Sequence, residues 1–285
     1  MNKTRRMEFT ELKIEASLDH LGFESEDPRQ LAEFYAKTMK MEIIAVDENT
    51  WHCLGPERLL VFVAGRKNKL AFVCFSCRDE NSLSQIKEMS EKNGLDSHPF
   101  ESIYLEKGSF SIIDPDENRI SFGVPLKRKP NRSLLYAPLQ HLSIQSKDVG
   151  QFTEFYQNNL GFAVSDRVIN KDGVVTTCFL RSNHEHHTLA CFKSEKAGVD
   201  HHSYEVGKWN LIRDWCDHFS SLDIKLFWGP GRHGPGNNLF VFIEDCDENR
   251  VELSAELEII NGRKSVDWAH EPRTLNLWGE GLMRS

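Results

Sequence analysis

The chain carries one pattern twice. Residues 18 to 41, LDHLGFESEDPRQLAEFYAKTMKM, run in step with residues 139 to 162, LQHLSIQSKDVGQFTEFYQNNLGF, so that His20 matches His141, Asp27 matches Asp148 and Phe34-Tyr35 matches Phe155-Tyr156. Later, DPDENRISF at 114 to 122 returns as DCDENRVEL at 245 to 253. The matched segments keep nearly the same separation, so each half holds a full copy, and the fold is restricted to two like modules.

Within a copy, alternating residues around the histidine predict a strand, and the amphipathic stretch DVGQFTEFYQNNLGF predicts a helix that ends at Gly161. Short β-rich runs follow (VVTTCFLRS, HTLACFK, HSYEV), then a second helical segment, KWNLIRDWCDHFSSL, and the strand pair IKLFW and NNLFVFIED. The order is βαβββ, twice per half. The fold class is therefore α+β, as two tandem modules of paired βαβββ repeats, with modules at 1–124 and 137–285. The Pro-containing basic segment VPLKRKPNRSLLYAP supplies the linker, placed at 125–136.

Bulk properties exclude several roles. At 285 residues and 39% hydrophobic content the chain can bury a core for either one large domain or two ordinary ones. Its net charge is -8 and it has no basic stripe, which argues against nucleic acid as a partner. No apolar run reaches the roughly 18 residues of a membrane span, and the first residues lack the apolar core of a signal peptide, so a cytoplasmic protein without a membrane partner is expected. Seven cysteines, an odd number spread along the chain, read as reduced thiols. Cys74 and Cys77 have CxxC spacing but lie in the apolar run KLAFVCFSC with no second CxxC, and they are read as packing.

Gly229-Pro-Gly231-Arg-His-Gly234 satisfies GxGxxG, yet Pro235-Gly236 and a strand follow it where a dinucleotide site needs a helix. It is read as a flexible arm presenting Arg232 and His233. Of the 12 histidines most lie in the second half, and a lone histidine is usually solvated or satisfied in the core. His141 in the opening strand, His201 in HHSYEV and Glu252 in NRVELSAE together offer two imidazoles and a carboxylate, the facial set that leaves open positions on non-haem iron(II). Spacing alone does not prove that they converge. At the matching positions the first half offers His20, Lys69 and Ser121, so it reads as scaffold.

At these residues the chain resembles the vicinal oxygen chelate superfamily, and within it the two-domain type I extradiol dioxygenases that cleave catechols. The resemblance runs from about residue 15 to the tail, and is most specific in FLRSNHEHHTLACF, DHHSYEV, GPGRHGPGNNLFVFIEDCDENRVELSAE and WAHEPRTLNLWG. It implies His141, His201 and Glu252 as metal ligands, with His202 pointing the other way, and iron(II) as cofactor, although manganese(II) takes the same ligands. It implies His187 as the acid-base residue, His233 and Arg232 in contact with substrate or oxygen, and a tail over the active-site mouth. The substrates implied are a small aromatic diol and dioxygen, the product a ring-opened semialdehyde, and the assembly a homo-oligomer. One departure is plain: nine residues after the loop histidine the family has a tyrosine that holds the substrate oxygen, and this chain has Phe242.

Two other readings share the fold. A glyoxalase-like metal isomerase or epimerase usually builds its site from both halves, while a non-catalytic small-molecule binding protein needs neither metal nor acid-base histidine.

Overall fold

The structure is a computed structural model that describes residues 12–128 and 135–283. Part of the expected linker, residues 129–134, lies outside the described residues. Each half forms one sheet from two βαβββ units, as the repeat predicts.

In the first half, β1 (Ala16–Ser25), α1 (Pro28–Thr38), β2 (Glu42–Ala45), β3 (Thr50–Gly55) and β4 (Arg58–Ala64) make one unit. The second unit is β5 (Lys69–Cys77), α2 (Glu80–Lys92), β6 (His98–Pro99), β7 (Phe110–Ile113) and β8 (Arg119–Gly123). The sheet order is β2-β3-β4-β1-β5-β8-β7-β6, so the two units meet along the antiparallel pair β1/β5.

The second half repeats this with β9 (Leu139–Ser146), α3 (Val149–Leu160), β10 (Ala163–Ile169), β11 (Val175–Arg181) and β12 (Leu189–Lys193). There follow β13 (Gly198–Glu205), α4 (Trp209–Ser221), β14 (Trp228–Arg232), β15 (Leu239–Glu244) and β16 (Arg250–Ala255). Its tail adds β17 (Val266–Ala269), parallel to β10 at the sheet edge, and the short α5 (Pro272–Leu275). No helix among the described residues is long and apolar enough to cross a membrane.

Local chemistry explains the element ends. Asp148 caps α3 by accepting from the Gln151 amide, as Asp27 accepts from Gln30 at α1. Gly161 closes α3 at φ 75°, a left-handed conformation that glycine adopts without steric cost.

One expectation is corrected. The strand foreseen at IKLFW begins only at Trp228 and continues through Gly229-Pro230-Gly231 to Arg232, so the segment read as a flexible arm is largely edge strand β14. Proline is tolerated there because an edge strand has amides with no partner to lose. A side chain on Gly231 would collide with the Phe240 ring, whose nearest atom lies 2.5 Å from an ideal Cβ.

Strand alternation sorts the second sheet's side chains into two sets. Leu142, Cys178, Cys191, Tyr204, Val241 and Leu253 join the large core that runs through both halves. Phe179, Ala190, Phe192, Phe240 and Phe242 belong to a separate apolar cluster with Trp228 and Leu275. The site is built on that second face. Cys74 and Cys77 are both buried and free, and join different clusters, as residues three apart on a strand must.

The two copies also interlock. Tyr35 of α1 donates to Asp245 Oδ2 in the second half at 2.8 Å, and Tyr156 of α3 donates to Asp114 Oδ2 in the first half at 3.0 Å. Each helix tyrosine thus reaches the aspartate that opens the DPDENR or DCDENR turn of the other copy.

Candidate metal centre

His141 and Glu252 both lie across from Ser203, on opposite sides of β13, and His201 precedes Ser203 by two residues on the same face. The ladder therefore brings the three together although they are far apart in sequence. Their side chains are buried and each offers a ligand atom within 4.8 Å of the others. His141 Nε2 lies 3.0 Å from Glu252 Oε2 and 3.2 Å from His201 Nε2, and His201 Nε2 lies 3.5 Å from Glu252 Oε2.

The outer hydrogen bonds fix the tautomers. His201 Nδ1 lies 2.6 Å from the Asp200 carboxylate, which can only accept. His141 Nδ1 lies 2.5 Å from Gln140 Oε1, and the Gln140 amide nitrogen donates to the His187 carbonyl, so here too the ring donates from Nδ1. In their neutral forms both histidines therefore turn an Nε2 lone pair toward the carboxylate. Three acceptors at this separation repel unless a proton or a cation lies between them. Burial keeps His201 below its usual pKa, against the pull of Asp200. Burial alone would raise the Glu252 carboxyl, but the imidazoles of His141, His233 and His201 around it, when they carry a second proton, hold it well below the usual range. The donor set fits a divalent metal with nitrogen and oxygen preference.

His187 lines the same cavity, with its ring centroid 4.2 Å from that of His141. A relay stands behind it. Asp166 Oδ2 lies 3.0 Å from His186 Nε2, and His186 Nδ1 lies 2.9 Å from His187 Nδ1. Since the carboxylate accepts, His186 donates from Nε2 and its Nδ1 accepts from His187, which leaves His187 Nε2 with the lone pair. Burial, with His141 and His186 nearby, holds His187 well below its usual pKa, so it rests neutral. Asp166 also accepts from Arg263, the Val266 amide and the Trp268 indole, which ties the tail to the relay.

His233 donates from Nδ1 to the Leu275 carbonyl at 2.5 Å and sets Nε2 3.3 Å from Glu252 Oε1. It stacks on Phe240 at 4.0 Å. Phe242 lines the cavity edge-on to His201 at 5.1 Å and offers no hydrogen-bond donor. Arg232 is placed elsewhere: its guanidinium donates to the Asn237 carbonyl and Glu256 and lies over the Trp278 ring at 5.4 Å, off the cavity wall. His202 faces the other side, with Nε2 2.9 Å from Tyr35 Oη, and burial brings its pKa down to about 3.

Sequence reasoning missed several members. Ser143, buried beside His201 in the ladder, turns an unpartnered hydroxyl to the cavity among the described residues. Phe179, Phe192, Asn238, Thr274 and Leu275 complete the wall. The strand alternation that carries His141 also carries Ser143, and that was the available signal. The space left between these side chains is about 30 Å³, enough for an ion with water and too small for an aromatic ring, so a ring must displace part of the wall. A larger groove of about 820 Å³ lies along residues 97 to 110, but no metal-ligating cluster faces it among the described residues.

The first half lacks the set. By the ladder, His20 lies across from Cys74 and Cys74 lies across from Ser121, which places Phe72 where the second half has His201. The expected match at Lys69 is corrected: Lys69 lies three residues before Phe72 on β5 and pairs with Glu24. The loops between the strands differ in length, so counting along the chain does not transfer the register.

The family model described as Glyoxalase/Bleomycin resistance protein/Dioxygenase superfamily matches residues 139–253, which span all three converging residues. Residues 139–253 belong to this superfamily. The superfamily domain sits in a chain 24% identical to metapyrocatechase 2 of Cupriavidus necator, over 92% of this chain and 88% of that one. Metapyrocatechase of Pseudomonas sp. (strain CF600) is 30% identical over 33% of this chain and 31% of its own. The fold matches homoprotocatechuate 2,3-dioxygenase from Arthrobacter globiformis with TM-score 0.80 at 20% identity, covering 96% of this chain and 92% of that one. The Brevibacterium fuscum enzyme, in its complex with 3,4-dihydroxyphenylacetate, matches with TM-score 0.80 at 18% identity, covering 95% and 90%.

Proposed function

We propose that this chain is an extradiol dioxygenase, which opens the ring of a vicinal aromatic diol with dioxygen at a metal held by His141, His201 and Glu252. The reading rests above all on the convergence of two Nε2 lone pairs and one carboxylate at 3.0 to 3.5 Å in a buried cavity. The similarity to metapyrocatechases supports the same chemistry. Iron(II) is the metal favoured, because two histidines and a carboxylate with open positions form the donor set of non-haem iron oxygenases. Residues 137–285 carry the reaction, and residues 1–124 serve as scaffold.

When bound, the metal supplies Lewis acidity toward the diol oxygens and an open position for dioxygen. The protein supplies the proton handling and the dry enclosure. His187, neutral and with Nε2 free, accepts a proton from a diol hydroxyl and returns it later in the reaction. The relay through His186 to Asp166 holds it in that tautomer. Phe179, Phe192 and Phe242 exclude water and hold the ring between apolar faces. His233 stands at Glu252 on the loop side, where it contacts the substrate or the oxygen. The exchange of tyrosine for Phe242 removes one donor from this wall.

The test is anaerobic loading with iron(II), addition of catechols, admission of oxygen, and measurement of oxygen uptake together with the yellow absorbance of ring-opened product. Uptake matched by product in the wild type, and lost in Glu252→Ala and His187→Ala, supports the reading. Metal binding with no uptake on any diol overturns it.

A further inference from the structure

The cavity wall carries information about the ring's substituent. Beyond Phe192, Thr274 and Leu275 the metal cavity abuts a second small cavity that shares those three residues and adds Val168, Thr177 and Met283. Among the described residues no lysine or arginine lines either space. The acidic groups on them among the described residues are Glu252, whose charge a bound metal takes up, and Glu271, which repels an anion. Nearby cations are engaged elsewhere: Arg232 with Glu256, and Arg263 with Asp166 and Glu258. Arg273 sits exposed on α5. Lys147, Lys171, Lys193 and Lys196 line an open outer groove, shared with Asp172 and Glu195, which meets the second cavity only at His270.

We infer that the diol this site prefers carries an uncharged, apolar substituent, directed past Phe192 and Leu275 toward Val168 and Met283. A carboxylate one carbon from the ring is disfavoured. The inference rests on the ring-cleaving reading. Its physical basis is an asymmetry: alkyl carbons gain by leaving water for a wall of phenyl and aliphatic groups, whereas a carboxylate buried there loses its hydration and meets no lysine or arginine, the metal's charge being taken up by Glu252 and the diol oxygens. The lysines of the outer groove are exposed and screened, and that groove shares only His270 with the second cavity.

The experiment compares kcat/KM of the iron(II)-loaded protein on catechol, 4-methylcatechol, 4-ethylcatechol and 3,4-dihydroxyphenylacetate, with the 3-alkyl isomers alongside. Each methylene accommodated should raise kcat/KM about four-fold, the equivalent of ~0.8 kcal/mol per buried CH₂. The carboxylated diol should fall about 100-fold or more below 4-ethylcatechol, its closest uncharged match in size. Leu275→Arg, which places a guanidinium on the wall, should shift the ratio toward the carboxylated diol by about ten-fold or more. Turnover of 3,4-dihydroxyphenylacetate equal to or above that of 4-ethylcatechol overturns the inference and leaves ring cleavage standing. Absence of turnover on every diol overturns ring cleavage instead. The preference is then read from anaerobic binding of the same diols to the metal-loaded protein, where an equal or tighter Kd for the carboxylated diol overturns it.

Discussion

Phe72 stands in the first sheet where His201 stands in the second. The ladders agree pair by pair: Phe72 lies across from Gly22 as His201 lies across from Ser143, and Cys74 with Ser121 repeats Ser203 with Glu252. His20 keeps an outer partner, Asp19, 2.6 Å from its Nδ1, but its Nε2 meets no partner among the described residues and the Phe72 ring packs edge-on at 5.4 Å. The first half thus holds a histidine with its outer carboxylate, and Phe72 and Ser121 at the other two positions.

Metal stoichiometry should therefore be one per chain. Elemental analysis of His20→Ala should still give one metal, and His141→Ala should give none. Two metals in the wild type would contradict this assignment.

The carboxylate behind His201 should matter for metal affinity. Asp200 fixes the ring tautomer through Nδ1, and outer partners of this type are worth about 10 to 100-fold in affinity. Asp200→Asn should weaken iron(II) binding by that factor in a chelator competition, with little change in secondary structure by circular dichroism.

Removing the acid-base group should separate chemistry from metal binding. His187→Ala should keep its metal and lose about 10²- to 10⁴-fold in kcat. Loss of metal along with activity would make His187 part of the ligand frame instead.

The exchange of tyrosines across the halves predicts a stability effect remote from the site. Tyr35→Phe leaves buried Asp245 and His202 without a partner that each now has, and should cost about 1 to 3 kcal/mol in urea unfolding. Tyr156→Phe at Asp114 should behave alike.

Glu205 gives a pH signature. Burial raises its carboxyl from 4.5 to about 7, despite bonds from the Gly207 and Glu256 amides. A carboxyl raised on folding favours the folded state below its unfolded pKa, and that contribution is lost as pH rises through the folded one. Its share of stability should thus be full below about pH 4.5 and decline toward pH 7. Melting temperature followed across that window should fall less steeply in Glu205→Gln.

Much of this architecture is legible in the residues. The repeated HL…FY and DENR segments specify two copies, and the alternation in LQHLSIQS and NNLFVFIED specifies which residues share a face. Long-range partners are not legible. Asp166 reaches His186 and Trp268 only after folding, and β17 pairs with β10 across roughly 100 residues, with no local signal for either. The strand at Gly229-Pro230-Gly231 hides because its composition is that of a turn, while its pairing comes from β15. Register is the third failure. Hydrogen-bonded pairs, not residue numbers, decide that Phe72 rather than Lys69 takes the place of His201.

On the ring-cleaving reading, this site inserts both atoms of dioxygen into an aromatic diol. The most direct measurement is mass spectrometry of the product formed by iron(II)-loaded protein from a catechol under ¹⁸O₂, quenched before carbonyl exchange with water. Ring-opened product carrying two labelled oxygens, absent in Glu252→Ala, is the predicted result. An unlabelled product, or a product with the ring intact, would contradict it.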